Sequence, residues 1–215
     1  MATKTKPCII SCSVLKEEIQ QLVKQGDLDA DLVFVSKYFH VDFSLIEKNL
    51  RQTIAKVLPR SPNKIILVYG DLCLGLNNEM KTLADEYGLV KVDALNCVDC
   101  LFGGKGNSSE ADPNHELLVL NPGMIGFFKK IKEKIKQEGM DESALKQLFS
   151  GLKGIVLLDT LGESDKDKAE IEKMDTGLQI LETKKVGLDK VKQVILEAME
   201  KSCQKTAKKQ QSKKP

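Results

Sequence analysis

The sequence predicts an α/β protein: a single doubly wound, mainly parallel, Rossmann-like sheet flanked by helices. Three observations lead there. Short apolar, β-rich runs alternate with amphipathic segments of helical period along most of the chain. One run, KIILVY at 64–69, is apolar almost throughout, as a central strand buried on both faces must be. Gly or Pro stands where several of the helices should stop. The 215 residues suit one domain with a full core, read here as 1–200, followed by a disordered basic tail at 201–215.

Residues 7–13, PCIISCS, form the first strand, with Cys12 near its end. VLKEEIQQLVKQ, 14–25, sets Leu15, Ile19, Leu22 and Val23 on one face, and Gly26 stops the helix. DLVFVSKYF, 31–39, is the second strand and runs into His40. The following helix carries Leu45, Ile46, Leu50, Ile54 and Leu58 as an apolar stripe, with Ser44 as its cap and Pro59 and Pro62 at its end. After the third strand, KIILVY, Gly70 and Gly75 bracket Cys73, and a helix starts near Asn77. LVKVDAL, 89–95, is the fourth strand; it leads into Asn96, the Cys97/Cys100 pair and the turn Gly103-Gly104-Lys105-Gly106. The polar stretch 105–116 reads as an exposed loop holding His115. LLVLN (117–121), GIVLLDT (154–160) and TGLQILETKKV (176–186) complete seven strands. Helices at 124–139, 141–152 (opening on Asp141), 163–174 and 187–202 alternate with them.

Composition narrows the function classes. Hydrophobic residues make up 41% and charged residues 30%, an ordinary globular balance. Six lysines and no acid fall in 201–215, so an overall charge of +2 leaves the rest of the chain at −4. An acidic body with a basic tail argues against a nucleic-acid-binding domain, which concentrates Lys and Arg on a folded face. No apolar run approaches the roughly 18–20 residues of a membrane span, and the start, MATKTKPC, has no long apolar segment. The expected setting is cytoplasmic, without a membrane. SCSVLKEE after the first strand replaces a G-x-G-x-x-G fingerprint, and neither G-x-x-x-x-G-K-[ST] nor G-x-S-x-G occurs. Nucleotide binding of the usual kind and serine hydrolysis are therefore set aside.

The six cysteines carry the chemistry. A long, lysine-rich chain without a signal peptide points to reduced thiols or metal ligands, not a secreted disulfide framework. Cys8 inside a strand and Cys203 in the tail read as inert. Cys12, Cys73 and the Cys97/Cys100 pair follow strands one, three and four, so three segments deliver thiols to the carboxyl edge of the sheet. Helix amino termini after Cys73 and Cys97, with Lys105, are expected to lower the thiol pKa. C-x-x-C alone is compatible with a redox dithiol, half of a zinc site or part of an iron–sulfur site, and each Cys also suits a plain core position. His40 is a candidate soft-metal ligand or base, and the glycine-rich turn a candidate anion cradle or simply a flexible turn.

With these motifs in order, the chain resembles the uncharacterised family known as domain of unknown function 1638. The likeness lies in SCSVLKEEI, YFHVDFSLIEKNLRQTI, ILVYGDLCLGL and DCLFGG, and continues through NPGMIGFFKK and LLDTLG over most of 7–200. It implicates Cys12, His40, Tyr69, Gly70, Cys73, Gly75, Asp99, Cys100 and Gly103 as site residues, with Tyr69, Gly70, Gly75, Asp99 and Gly103 around a cofactor. In one place the chain departs from the pattern: Val98 stands where relatives often have histidine, and Cys97 is positioned to serve as a soft ligand instead. The resemblance implies a setting in anaerobes and in corrinoid-dependent methyl transfer from methylated amines. The expectation is a zinc ion or iron–sulfur cluster on Cys12, Cys73, Cys97 and Cys100 with His40. A corrinoid would come through a partner, a corrinoid protein or methyltransferase. Two other readings stand beside it: a non-catalytic module for a small anionic ligand or corrinoid protein, and thiol redox at Cys97/Cys100.

Overall fold

The computed structural model describes residues 6–62, 64–139 and 143–211. In chain order the elements are β1 (Cys8–Cys12), α1 (Lys16–Lys24), β2 (Asp31–Val35), α2 (Phe43–Val57), β3 (Ile65–Val68), α3 (Glu79–Glu86), β4 (Val90–Lys91) and α4 (Cys97–Leu101). They continue with β5 (Leu117–Leu120), α5 (Pro122–Gln137), α6 (Ser143–Leu148), β6 (Gly154–Asp159), α7 (Ser164–Met174), β7 (Ile180–Lys185) and α8 (Asp189–Gln211). The parallel α/β class is the one the alternation predicts. The seven strands nevertheless form two sheets and not one, β2-β1-β3-β4 and β5-β6-β7, with every pairing parallel. Hydropathy period identifies strands but is silent on which edges meet. β4 is only two residues long, too short an edge to seed a fifth strand, and β5 pairs with β6.

The chain accordingly packs as two compact units, Met1–Gly106 with Asp189–Pro215, and Asn107–Leu188. In the first, β1 lies between β2 and β3, and Ile9, Ile10, Ile65, Ile66 and Leu67 are fully buried. Each such side chain contributes roughly 1.5–3 kcal/mol of burial. α1 buries Ile19 and Leu22, and the chain turns at Gly26 with φ +81°. A short 3-10 turn, Lys37–Val41, ends the second strand at Val35, earlier than its β-rich composition implies. The cap of α2 is Asp42, whose Oδ1 accepts from Ser44 N at 2.7 Å, in place of Ser44 itself. α8 packs against β3, β4 and α4, and it carries the basic segment as helix up to Gln211 where disorder was expected. Ser202 is buried, and Lys205 donates to Leu89 O at 3.4 Å, so contacts with the body hold this segment. Residues 212–215 and Asp141, the expected opening of the 141–152 helix, lie outside the described residues.

In this unit the chain goes from β1 to β2 on one side and then lays β3 on the other side of β1. Loops leaving β1 and β3 therefore part, making the topological switch point at which open parallel sheets leave a crevice outside their carboxyl ends.

The second unit packs α5 and α7 on its own sheet around Leu120, Ile125, Ile155, Leu157, Ile171 and Met174. Asn121, fully buried, caps α5 by accepting from Met124 N at 3.2 Å, and Pro122 takes the first helical position. Phe128 meets Phe149 edge to face, with centroids 5.4 Å apart. Among the described residues no helix is long and apolar enough to cross a membrane.

Candidate thiol site at the switch point

The switch point is where the cysteines lie. Cys12 is the last residue of β1, paired with Val35 of β2, and its Sγ accepts from Val14 N at 3.4 Å, capping a short 3-10 turn. His40 sits in the turn after β2; its Nδ1 donates to Lys37 O at 3.0 Å, which makes Nε2 the basic nitrogen. Both ring nitrogens are 3.9 Å from Cys12 Sγ. A sulfur equidistant from both lies on neither in-plane lone-pair axis, so the two side chains touch without forming a nucleophile–base hydrogen bond. Lys37 N donates to Ser13 Oγ at 2.8 Å and ties the two loops together.

Cys73 ends a short 3-10 turn, Asp71–Cys73, after β3. A Cβ on Gly70 would stand 2.2 Å from Leu95 O and 2.4 Å from Asn96 N, so only glycine allows the approach. The contact is continued by Asp71 N to Ala94 O and Leu72 N to Leu95 O, both 2.9 Å. Asp71 then spans two lysines, with Oδ1 2.7 Å from Lys91 and Oδ2 2.9 Å from Lys105. Burial works to raise the Asp71 carboxyl, but the two lysines outweigh it and hold it below the usual range. Gly75, at φ +142°, leaves room for the Glu79 carboxylate, which a Cβ would approach to 2.7 Å. Tyr69 is buried, and burial with the charges of Cys12 and Cys73 pushes its phenol up.

Cys97 and Cys100 lie on α4. Asn96 Oδ1 accepts from Asp99 N at 3.0 Å and starts the helix. Asp99 is fully buried, and its Oδ2 accepts from Leu95 N at 2.8 Å and Gly106 N at 2.9 Å, while its carbonyl takes Gly104 N at 2.8 Å. It thereby staples the glycine-rich turn, in which Gly103, Gly104 and Gly106 all have positive φ. Lys105 points to Asp71, not to a thiol.

The four thiols feel one another. Cys73 opposes ionisation of Cys12, Cys97 and Cys100, and Cys12 and Cys100 oppose that of Cys97. Desolvation is nevertheless the largest cause at each: Cys12 and Cys100 are pushed up to about 12, Cys73 to about 11, and Cys97 well above its ordinary value. This reverses the expected lowering. α3 begins only at Glu79, α4 has five residues, and burial outweighs any dipole they supply. The cation that does favour thiolate at Cys73 and Cys100 is Lys91, which the strand pattern concealed. A single lysine in an apolar run, just before the site, was the available signal. His40 is held neutral by burial, partly offset by Lys37 O.

Thiols and imidazole are the soft donors that zinc and iron–sulfur clusters take, so the set fits such a group in kind. Among the described residues, no three His, Cys, Asp or Glu side chains stand grouped closely enough to hold an ion as they are placed. Holding one requires the sulfurs to draw together and lose their protons. Cys8 sits at the opposite end of β1, Cys203 is exposed on α8, and His115 is exposed in a left-handed turn. Cavities of about 540 and 390 Å³ lie elsewhere, and neither is lined by a site residue named above.

Fold and site define a parallel α/β protein with buried and half-buried thiols at its switch point. The chain belongs to the family described as protein of unknown function (DUF1638), which matches residues 34–195, a span that includes His40, Cys73, Cys97 and Cys100. No curated protein and no solved structure matches it.

Proposed function

We propose that the first unit holds a soft metal ion or iron–sulfur cluster at Cys12, Cys73, Cys97 and Cys100, beside His40, and serves corrinoid-dependent one-carbon transfer. The observation that carries the reading is convergence: the end of β1, the turn after β3 and helix α4 bring four cysteines to the carboxyl edge of one sheet. A bound metal would supply what the protein alone does not, a thiolate at neutral pH in a desolvated pocket. The chain's own part is to gather the donors, exclude water from them and set Lys91 beside Cys73 and Cys100. The corrinoid and methyl-transfer part of the proposal comes from the family resemblance, with a corrinoid protein or methyltransferase as partner. Thiol redox at Cys97/Cys100 is disfavoured, because a dithiol exchanger needs a lowered thiol pKa and burial raises both.

The test is metal analysis and visible spectroscopy of protein purified without oxygen. Near-stoichiometric zinc or iron, lost in Cys73→Ser and Cys100→Ser, is the expected result. Trace metal that is unchanged in those variants would sink the reading.

A further inference from the structure

We infer that β7 is a self-recognition edge: two copies of this chain pair through it, antiparallel, about a two-fold axis at Thr183, and join their three-stranded sheets into one of six strands. The thiol site takes no part in this pairing.

The backbone sets the geometry. Among the described residues β7 pairs on one side only, with β6, so its other side is the edge of the β5-β6-β7 sheet. Such an edge is a template for another strand. Val186 N donates to Asp159 O at 3.0 Å, which turns the backbone groups of Lys184 and Val186 toward β6. Alternate residues of a parallel strand turn theirs the other way, so those of Thr183 and Lys185 face outward. Two copies meeting at Thr183 therefore exchange both N–H···O=C bonds between the two threonines, as the doubly bonded pair of an antiparallel ladder does.

The side chains select that register. It sets Glu182 of each copy directly opposite Lys184 of the other, in the closer, non-hydrogen-bonded kind of pair, and Ile180 opposite Val186. Lys184 Nζ is already fixed at the edge, donating to Glu110 O at 2.9 Å. Moving the axis one residue on sets two Lys184 side chains face to face, and one residue back sets two Glu182 side chains so. Lysines on an edge ordinarily repel a strand; here they exclude the neighbouring registers, and Glu182 admits one. Leu181, 57% exposed at the bulge of β7, and a cleft of about 540 Å³ between α7 and residues 178–183 supply the apolar surface that the second copy covers.

Sedimentation velocity of the full-length protein, in reducing buffer over a concentration series, tests this. The wild type should show a reversible monomer–dimer equilibrium that salt weakens. Glu182→Lys and Lys184→Glu each replace two attractive pairs by two repulsive ones, and each should weaken the dimer on the order of tenfold or more. The double variant Glu182→Lys/Lys184→Glu exchanges the charges and should restore it, which a variant that merely damaged the fold could not do. In a Cys203→Ser background, Thr183→Cys should cross-link two chains under oxidised glutathione, and Lys185→Cys, distant from its own copy across the axis, should not. A monomer at every concentration, a dimer indifferent to both single swaps, or a loss that the double swap does not reverse overturns the inference.

Discussion

Asp99 is a buried carboxylate with a mechanical duty, because its Oδ2 takes one backbone N–H from each side of α4. Asp99→Ala leaves both donors without their acceptor, and urea unfolding should give a loss of ~2–4 kcal/mol, given the strength of charge-assisted bonds and the cost of orphaned donors. Faster alkylation of Cys97 and Cys100 should accompany it. Cys8 shows how burial alone sets a titration: desolvation, with Asp31 adding to it, pushes the thiol up to about 11 from 9.0. Above pH 9 the unfolded chain loses this proton first, so the stability Cys8 contributes is complete below that pH and is lost as pH rises toward 11. Denaturation midpoints measured across pH 8–11 should therefore fall less steeply in Cys8→Ala. The sequence named Asp99 through a family pattern and set Cys8 aside from its position in a strand. It gave no view of the N–H groups around the one, which depend on how the glycine-rich turn folds back on the start of α4, or of the desolvation of the other, which comes from strands distant in the chain.

At the scale of elements, the segment joining β3 to α3 and that joining β4 to α4 act as one piece. Gly70→Ala drives a methyl into Leu95 O, a backbone atom that cannot rotate away. It should cost upwards of about 2 kcal/mol in denaturant unfolding, as overpacking against fixed backbone does. The cap of α5 is a milder case: Asn121→Ala should lower stability by ~0.5–2 kcal/mol in the same measurement. Helices α1, α2 and α5 were legible because their apolar spacing records a buried face. β4 was not: LVKVDAL looks like a full strand, yet only Val90 and Lys91 pair, and the rest serves the turn that Asp71 and Asp99 hold. Asn78, left-handed at φ 63° just before α3, belongs to the same kind of local geometry that hydropathy does not encode.

At the scale of the molecule, residues 107–188 form a parallel sheet and core of their own, and in chain order they interrupt the first unit. Leu157, fully buried in the middle strand, tests that core. Leu157→Ala should cost ~2–5 kcal/mol, read as lost amide-exchange protection in β5–β7. The convergence of thiols on one sheet edge was legible because all four cysteines follow strands of the same sheet. The division into two sheets was hidden, because edge pairing is decided by contacts between segments distant in sequence. The return of α8 to β3, β4 and α4 has a consequence for the making of the protein. Every cysteine of the cluster has been translated by residue 100, but the helix that packs on β3, β4 and α4 begins only at Asp189. A ribosome takes about 4–18 s over the roughly 80–90 residues between, at ~5–20 residues per second. Through that interval the nascent first unit lacks the helix that packs on β3, β4 and α4, and its thiols stand in an incomplete core. A cell low in oxygen, or a chaperone on the nascent chain, would protect them during that wait.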